Sequence, residues 1–283
     1  MKKIITFISI FSFSTALCQV TGKITDSETK KPVSYSHIWI KNTKIGTTCD
    51  TLGIFNFERA KIGDSLKISC LGYEEFNFIA LKHNEISLKP ISMKLDEITI
   101  STIKNKKVKK IISYKKKKDV KDFYHNGHYS IARYFKYENS YKSNPYIKNI
   151  KTVVWNSKRS KVKFKMYLIK ADENGKPINV LLTNPQTFNV KVGIREVKWN
   201  LKNKNVPFPK EGFYVVIDRL NLKENKYSNE YEKNILQPAI GMESIANSKN
   251  TLLRFSSDWI KPDYLTKHIK NSNNIAINIE LTD

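Results

Sequence analysis

The sequence has few of the residues from which catalytic loops and disulfide frameworks are built. Its 283 residues include ten glycines and three cysteines. No glycine falls in a G-x-S-x-G elbow, a G-x-x-x-x-G-K-[ST] loop or a G-x-G-x-x-G turn. These absences exclude the common signatures of a nucleophile elbow, a phosphate-binding loop and a dinucleotide site. We therefore expect no cofactor and assign no catalytic residue.

Arginine is also scarce, although the chain is strongly basic. Lysine and arginine number 50 against 26 acidic residues, a net charge of +24, yet only six of the 50 are arginine. Bidentate recognition of phosphates and bases favours arginine, so we expect no nucleic-acid partner. A cell-envelope protein, a glycan and an anionic membrane surface remain candidate partners. The composition leaves the oligomeric state open.

Long hydrophobic runs are missing, since a membrane-spanning helix needs about 20 apolar residues. The longest apolar segment, 4–13, follows two lysines, and Ala16 and Cys18 occupy the −3 and −1 positions of a cleavage site. We predict a cleaved signal peptide over 1–18, a mature chain from Gln19, and export to the periplasm, outer membrane or cell surface. Lipid attachment at Cys18 is the alternative, which the preceding leucine disfavours.

Two thiols, Cys49 and Cys70, remain in the predicted mature chain. An oxidising compartment would permit a disulfide between them. However, Cys70 has the same strand parity as Leu66 and Ile68, which predicts a buried core thiol. The sequence leaves the pairing open.

Residues 19–97 alternate apolar and polar residues in short runs bounded by turn formers, as antiparallel strands do. Asp50 and Gly53 stand between two such runs and suit a hairpin with glycine at a positive φ. Strands this short and closely spaced predict a small β-sandwich. The apolar pairs that share a face are Ile38 with Ile40, Phe55 with Phe57, Leu66 with Ile68, and Phe76 with Phe78.

This segment resembles a known family. VTGKITDSETKKPVSYSHIWIKNTKIGTTCDTLGIFNF, followed by DSLKISCLGYEEF, is similar to the carboxypeptidase regulatory-like domain, chiefly at Gly46, Asp50, Gly53, Gly72 and Tyr73. The resemblance implies a transthyretin-like, seven-stranded β-sandwich of the kind found at the N-termini of exported Bacteroidetes proteins. It also implies a non-catalytic accessory module, because function depends on a site and not on the fold.

Zinc carboxypeptidase activity is not expected. Its metal site needs a histidine with glutamate three residues later, and none of the five histidines has one. The segment HNGH, residues 125–128, could offer two imidazoles, but a turn at Asn-Gly is the simpler interpretation. We expect no metal site.

Residues 98–125 are dominated by lysine and predict a basic linker. The preceding MKLDEITIS, residues 93–101, resembles the junction before TonB-dependent receptors, although the remaining chain is too short for such a receptor. Val108, Ile111 and Ile112 have helical spacing, so a short helix on an anionic membrane is the alternative.

Residues 126–283 predict a second β-sandwich, of jelly-roll type. KVKFKMYLIK, residues 161–170, alternates strictly and places its lysines on a solvated face. The alternation from Phe188 to Ile194 changes parity before Val197 and Trp199, which predicts a β-bulge. The fold class is therefore all-β, two sandwiches joined by a basic linker.

Trp155, Trp199 and Trp259 are candidates for an aromatic platform that binds a sugar, with core packing as the alternative. The sequence favours a non-catalytic, exported binding or scaffolding protein, accessory to TonB-linked uptake or to surface assembly. The alternative is a carbohydrate- or peptide-active enzyme, an unrecognised hydrolase with two carboxylates across a cleft of the second sandwich.

Overall fold

The computed structural model describes residues 19–91, 107–124, 127–182, 185–228, 235–243, 250–256, 258–261 and 274–283. Regular structure in these ranges consists of β-strands and three 3-10 turns, Lys117–Asp119, Asn139–Tyr141 and Lys223–Asn225, which confirms the all-β class. The predicted signal peptide and the MKLDEITIS segment lie outside these ranges. Within them, no helix has the length and apolar character needed to cross a bilayer.

The first sandwich contains seven strands, as the resemblance implies. The strands are β1 (Val20–Asp26), β2 (His37–Ile40), β3 (Gly46–Thr48), β4 (Ile54–Phe57), β5 (Ser65–Ser69), β6 (Phe76–Ile79) and β7 (His83–Leu88). They form a three-stranded sheet in the order β4-β1-β7 and a four-stranded sheet in the order β3-β2-β5-β6. The core between the sheets includes Val20, Ile24, Ile38, Phe55, Phe57, Leu66, Ile68 and Leu88.

The hairpin before β4 shows why Asp50 and Gly53 stand where they do. The Asp50 carboxylate accepts hydrogen bonds from the backbone N–H groups of Leu52 and Ile54, at 2.8 and 2.9 Å. Gly53 has φ +74°, and a Cβ there would lie 2.3 Å from the Ile24 carbonyl oxygen. Only glycine fits this turn without moving β1.

Gly72 and Tyr73 close the other end of the sandwich. Gly72 accepts a backbone hydrogen bond from Ile91 at its carbonyl oxygen. The Tyr73 hydroxyl donates to Asp26 Oδ2 at 2.9 Å, which ties the turn after β5 to the end of β1. These residues hold the fold together and do not line the site described below.

The two cysteines lie on either side of β2. The Cys49 N–H donates to the Ser36 carbonyl, and the β2–β5 register, with His37 opposite Ser69, places Cys70 opposite Ser36 as well. Two strand spacings separate the Cα atoms of the two cysteines by about 9–10 Å, beyond the roughly 7 Å Cα–Cα limit for a disulfide. Both are free; Cys49 is fully buried, whereas Cys70 is only partly buried.

The second sandwich has two larger sheets. Its strands are β8 (Val108–Ile111), β9 (Phe123–Tyr124), β10 (Ser130–Phe135), β11 (Tyr146–Asn156), β12 (Val162–Ala171), β13 (Pro177–Val180), β14 (Gln186–Val190), β15 (Gly193–Asn200), β16 (Phe213–Arg219), β17 (Lys226–Tyr227), β18 (Ile235–Leu236), β19 (Ala239–Gly241), β20 (Thr251–Phe255), β21 (Asp258–Ile260) and β22 (Ile277–Thr282). The seven-stranded sheet runs β13-β12-β16-β10-β20-β21, with β14 also on β12; β17 and β18 form a separate pair. The six-stranded sheet runs β8-β22-β11-β19-β9, with β15 also on β11.

The predicted alternation in β12 is confirmed on its apolar side. Val162, Phe164, Met166 and Leu168 are fully buried. They pack in one core with residues of the six-stranded sheet, including Ile150, Ile277, Ile279 and Leu281.

The predicted β-bulge between Phe188 and Trp199 is wrong. β14 pairs with β12, whereas β15 pairs with β11 in the other sheet. The chain crosses between the sheets at Gly193, which has φ +94°. The parity changes because the strand ends and another begins, a break that alternation alone does not distinguish from a bulge.

The predicted linker over 98–125 is corrected for residues 107–124, which belong to the second sandwich and are called the lysine strap below. β8 pairs with β22, and the backbone N–H of Tyr114 donates to Asn278 Oδ1 at 3.2 Å. Tyr114 and Val120 are buried against Val153 on the outer face of the six-stranded sheet. β8 has only four residues, and its two lysines are adjacent. The sequence therefore shows no alternation of apolar and polar residues there.

Val120 provides a test of the lysine strap. Truncation to alanine removes buried contacts with Val153, so we expect Val120→Ala to lower the free energy of unfolding by about 1–2 kcal/mol. Chemical denaturation would measure it, with Lys121→Ala, an exposed neighbour, as the matched control. Equal stability of both variants would mean that the strap does not pack on the sheet.

Candidate functional site

The outer face of the seven-stranded sheet carries three polar residues side by side. The register places Ser130 of β10 opposite Asp218 of β16, and Asp218 opposite Lys165 of β12. Each has the opposite parity to a core residue of its own strand. A solvated sheet face would allow such a row, yet Ser130, Asp218 and Lys165 are all buried.

The first sandwich covers this row. In β2, Ile38 points into its own core, so His37 and Trp39 point the other way, and both are buried. His37 Nε2 lies 2.7 Å from Asp218 Oδ1, which brings the two sandwiches into direct polar contact. Lys165 Nζ reaches Asp218 Oδ2 at 3.2 Å and donates to the Tyr35 carbonyl at 3.1 Å.

A second histidine extends the row. His128 Nε2 lies 2.8 Å from His37 Nδ1, so one of the two nitrogens donates to the other. The His128 ring stacks on Trp39, with centroids 4.5 Å apart and planes 9° from parallel. A Cβ on Gly46 would lie 2.6 Å from the Trp39 ring and 2.9 Å from His128 Nδ1, so glycine permits the close stack.

Thr48 and Ser130 complete what we call the interface cluster: His37, Thr48, His128, Ser130, Lys165 and Asp218. Thr48 Oγ1 lies 3.3 Å from both imidazoles and accepts from the Asn221 N–H at 2.9 Å. Ser130 Oγ donates to Asp218 Oδ1 at 2.9 Å. Every member of the cluster contacts another member.

The charges of the cluster stabilise one another. Burial alone would raise the pKa of Asp218, but His37 and Lys165 outweigh it and hold that pKa far below its ordinary value. Burial would lower the pKa of Lys165, but Asp218 raises it above its ordinary value. Burial lowers the pKa of His128 well below its ordinary value, and His37 lowers it further. Asp218 and Lys165 are therefore charged and His128 is neutral at pH 7.

A cavity of about 20 Å³ lies beside the cluster. That volume accommodates about one water molecule and no substrate. Among the described residues, no group of three His, Cys, Asp or Glu side chains is placed to hold a metal ion. The Asp218 carboxylate and the His37 imidazole therefore resemble an oriented carboxylate–imidazole pair. Here the pair joins two modules. The cavity is lined by His37, Trp39, Ser69, Cys70, Leu71, Ser130, Lys165, Tyr167, Asp218, Arg254 and Ser256.

The structure does not bring the three tryptophans together, which corrects the idea of one platform. Trp199 opposes Ile150 and is buried in the core, whereas Trp155 opposes Ile194 on the outer face of the same sheet. Trp259 belongs to β21 of the other sheet. Of the three, only Trp155 is an exposed residue, with 40 % of its surface accessible. Its ring packs edge-on against the Phe123 ring, with the ring centroids 5.8 Å apart.

Sequence reasoning missed the interface cluster. The available signal was HIWI: if Ile38 and Ile40 face the core, His37 and Trp39 form an outer face too aromatic for a solvated edge. Lys165 gave no such signal, because a lysine on the polar side of a strand normally faces water. His128 is one half of the predicted HNGH pair; His125 lies outside the described residues.

The comparisons with known proteins bear on the first part of the chain. No curated protein matches the sequence. The family model of the CarboxypepD_reg-like domain matches residues 20–104, which span the whole first sandwich and confirm the resemblance carried by its turns.

Proposed function

We propose that this chain is a non-catalytic, exported binding or scaffolding protein of the cell envelope, in which two β-sandwiches are joined into one unit. The observation that carries the proposal is the interface cluster. Its charged side chains, Lys165 and Asp218, pair with each other and contact the first sandwich, beside a cavity too small for a substrate. The export-signal pattern and the accessory character of the matched domain support it. Service to TonB-linked uptake or surface assembly is part of the same proposal.

The enzyme alternative has weaker support. It requires a cleft in the second sandwich lined by the tryptophans, and these lie on different faces and sheets. Incubation of the purified chain with polysaccharide and peptide libraries should leave both uncut. Release of fragments, lost on heat denaturation, would favour a hydrolase.

Export can be tested directly. The full chain, tagged at its C-terminus and expressed in a Gram-negative host, should appear in the envelope fraction with Gln19 as its N-terminal residue by mass spectrometry. Ile8→Arg/Ile10→Arg, which interrupts the apolar segment, should leave the precursor in the cytosol. An uncleaved wild-type chain in the cytosol would contradict the proposal.

A further inference from the structure

The outer face of the six-stranded sheet exposes apolar side chains on three of its strands. Trp155 and Ile194 lie opposite each other and are 40 % and 38 % exposed. On β8, which forms the sheet edge, Val108 shares this outer face because Lys109 opposes the core residue Leu281. Val108 and Ile112 are 45 % and 56 % exposed.

The lysine strap fixes a block of positive charge on the same face. Lys115, Lys116, Lys117 and Lys118 are all exposed, between the two anchors Tyr114 and Val120 that pack on the sheet. The 3-10 turn Lys117–Asp119 lies against β15, the strand that carries Ile194. The lysines are therefore held near the exposed apolar side chains by a folded segment.

The charge balance of this face remains positive. On β15, exposed Lys198 adds to the strap lysines, and Glu196 and Asp119 oppose them. A third acid, Glu280, already forms an ion pair with Lys151, whose Nζ donates to Glu280 Oε1 at 2.8 Å. Basic residues outnumber the acidic ones, so the face attracts an extended anionic surface.

Lysines around exposed aliphatic and indole side chains match the chemistry of a bilayer surface. Lysine ammonium groups interact with lipid phosphates while their stems cover apolar surface, and tryptophan favours the headgroup region. We propose that the outer face of the six-stranded sheet docks on an anionic membrane, with Trp155 and Ile194 at headgroup level and Lys115–Lys118 over the lipid phosphates. The inference deepens the proposed envelope role, on which it rests for access to a membrane.

Vesicle binding tests the proposal independently of export. The purified chain should sediment with phosphatidylglycerol vesicles but not with phosphatidylcholine vesicles. Replacing Lys115–Lys118 by glutamine should weaken binding at least tenfold, because it removes four positive charges from the surface that faces the lipid phosphates. Trp155→Ala should weaken binding several-fold, and at about 0.5 M salt, where screening is strong, binding should fall at least tenfold.

The matched control keeps the charge change but moves it to the first sandwich. Glutamine at Lys23, Lys31, Lys61 and Lys82, which are exposed there, should leave vesicle binding within about twofold of wild type. Equal losses in both quadruple variants, equal binding to both lipids, or no binding would overturn the proposal. Binding to a soluble acidic polysaccharide without binding to vesicles would overturn it in favour of a glycan. None of these outcomes bears on cleavage at Gln19 or on the absence of turnover.

Discussion

Asp218→Asn is expected to lower the free energy of unfolding by about 3–5 kcal/mol, the usual cost of removing one partner from a buried ion pair. The amide is nearly the same size, so packing is retained. What changes is the charge: Lys165 stays buried beneath the first sandwich, with a side chain 6 % exposed, and loses its counter-ion. His37 Nε2, 2.7 Å from the same carboxylate, loses the negative charge beside it as well.

Thermal and chemical denaturation would measure this loss, with Glu85→Gln as the matched control. Glu85 is an exposed acid on β7, and its replacement should change stability by no more than about 0.5 kcal/mol. The double variant Asp218→Asn/Lys165→Met should recover part of the loss, because it removes the unpaired ammonium. A loss below about 1 kcal/mol in Asp218→Asn would show that the cluster does not hold the sandwiches together.

The second large effect is a loss of stability as the pH falls below about 7. Burial, and then His37, keep the pKa of His128 well below its ordinary value, whereas in the unfolded chain it is about 6.5. Below that pH His128 binds a proton in the unfolded chain, whereas in the folded chain it stays neutral. Stability from this group is therefore complete above pH 6.5 and declines towards the folded-state pKa, by up to about 1.4 kcal/mol per pH unit.

Other charges around His128 set the limits of that window. Asp218 favours the protonated imidazole, whereas His37 and Arg219 oppose it. Asp218 itself has a lowered pKa, so its contribution is complete above about pH 3.9, the unfolded value, and is lost only below it. The two effects should therefore appear as separate phases of one acid-denaturation profile.

Denaturation midpoints between pH 7.5 and 5.5 would measure the first phase. His128→Gln, which keeps an amide donor for His37, should flatten the profile in that range. His83→Gln, at an exposed position on β7, is the control and should retain the wild-type slope. An unchanged slope in His128→Gln would assign the acid sensitivity to other groups.

The alternation of apolar and polar residues predicted part of each core correctly. Alternation placed Ile38, Phe55, Phe57, Leu66 and Ile68 in the first core, because a half-buried strand must separate apolar and polar side chains. It placed Phe164 and Met166 in the second core for the same reason.

The same reasoning failed at Lys165. Its polar side was identified correctly, but that side faces the first sandwich and not water. Lys163, on the same side of β12, is only partly buried and pairs with Glu224 at 3.4 Å. Which lysine is covered depends on where the other module sits, a relation that no local pattern encodes.

The sequence by itself determined the strands, the turns at Asp50 and Gly53, and the family of the first sandwich, because period-two burial and positive-φ glycines are local requirements. Only the tertiary structure decided that residues 107–124 are a packed strap and that His37, His128, Lys165 and Asp218 meet. Those contacts join residues up to 181 positions apart. They depend on two sheet faces coming together, and the free energy of burying their charges depends on what lies opposite in space.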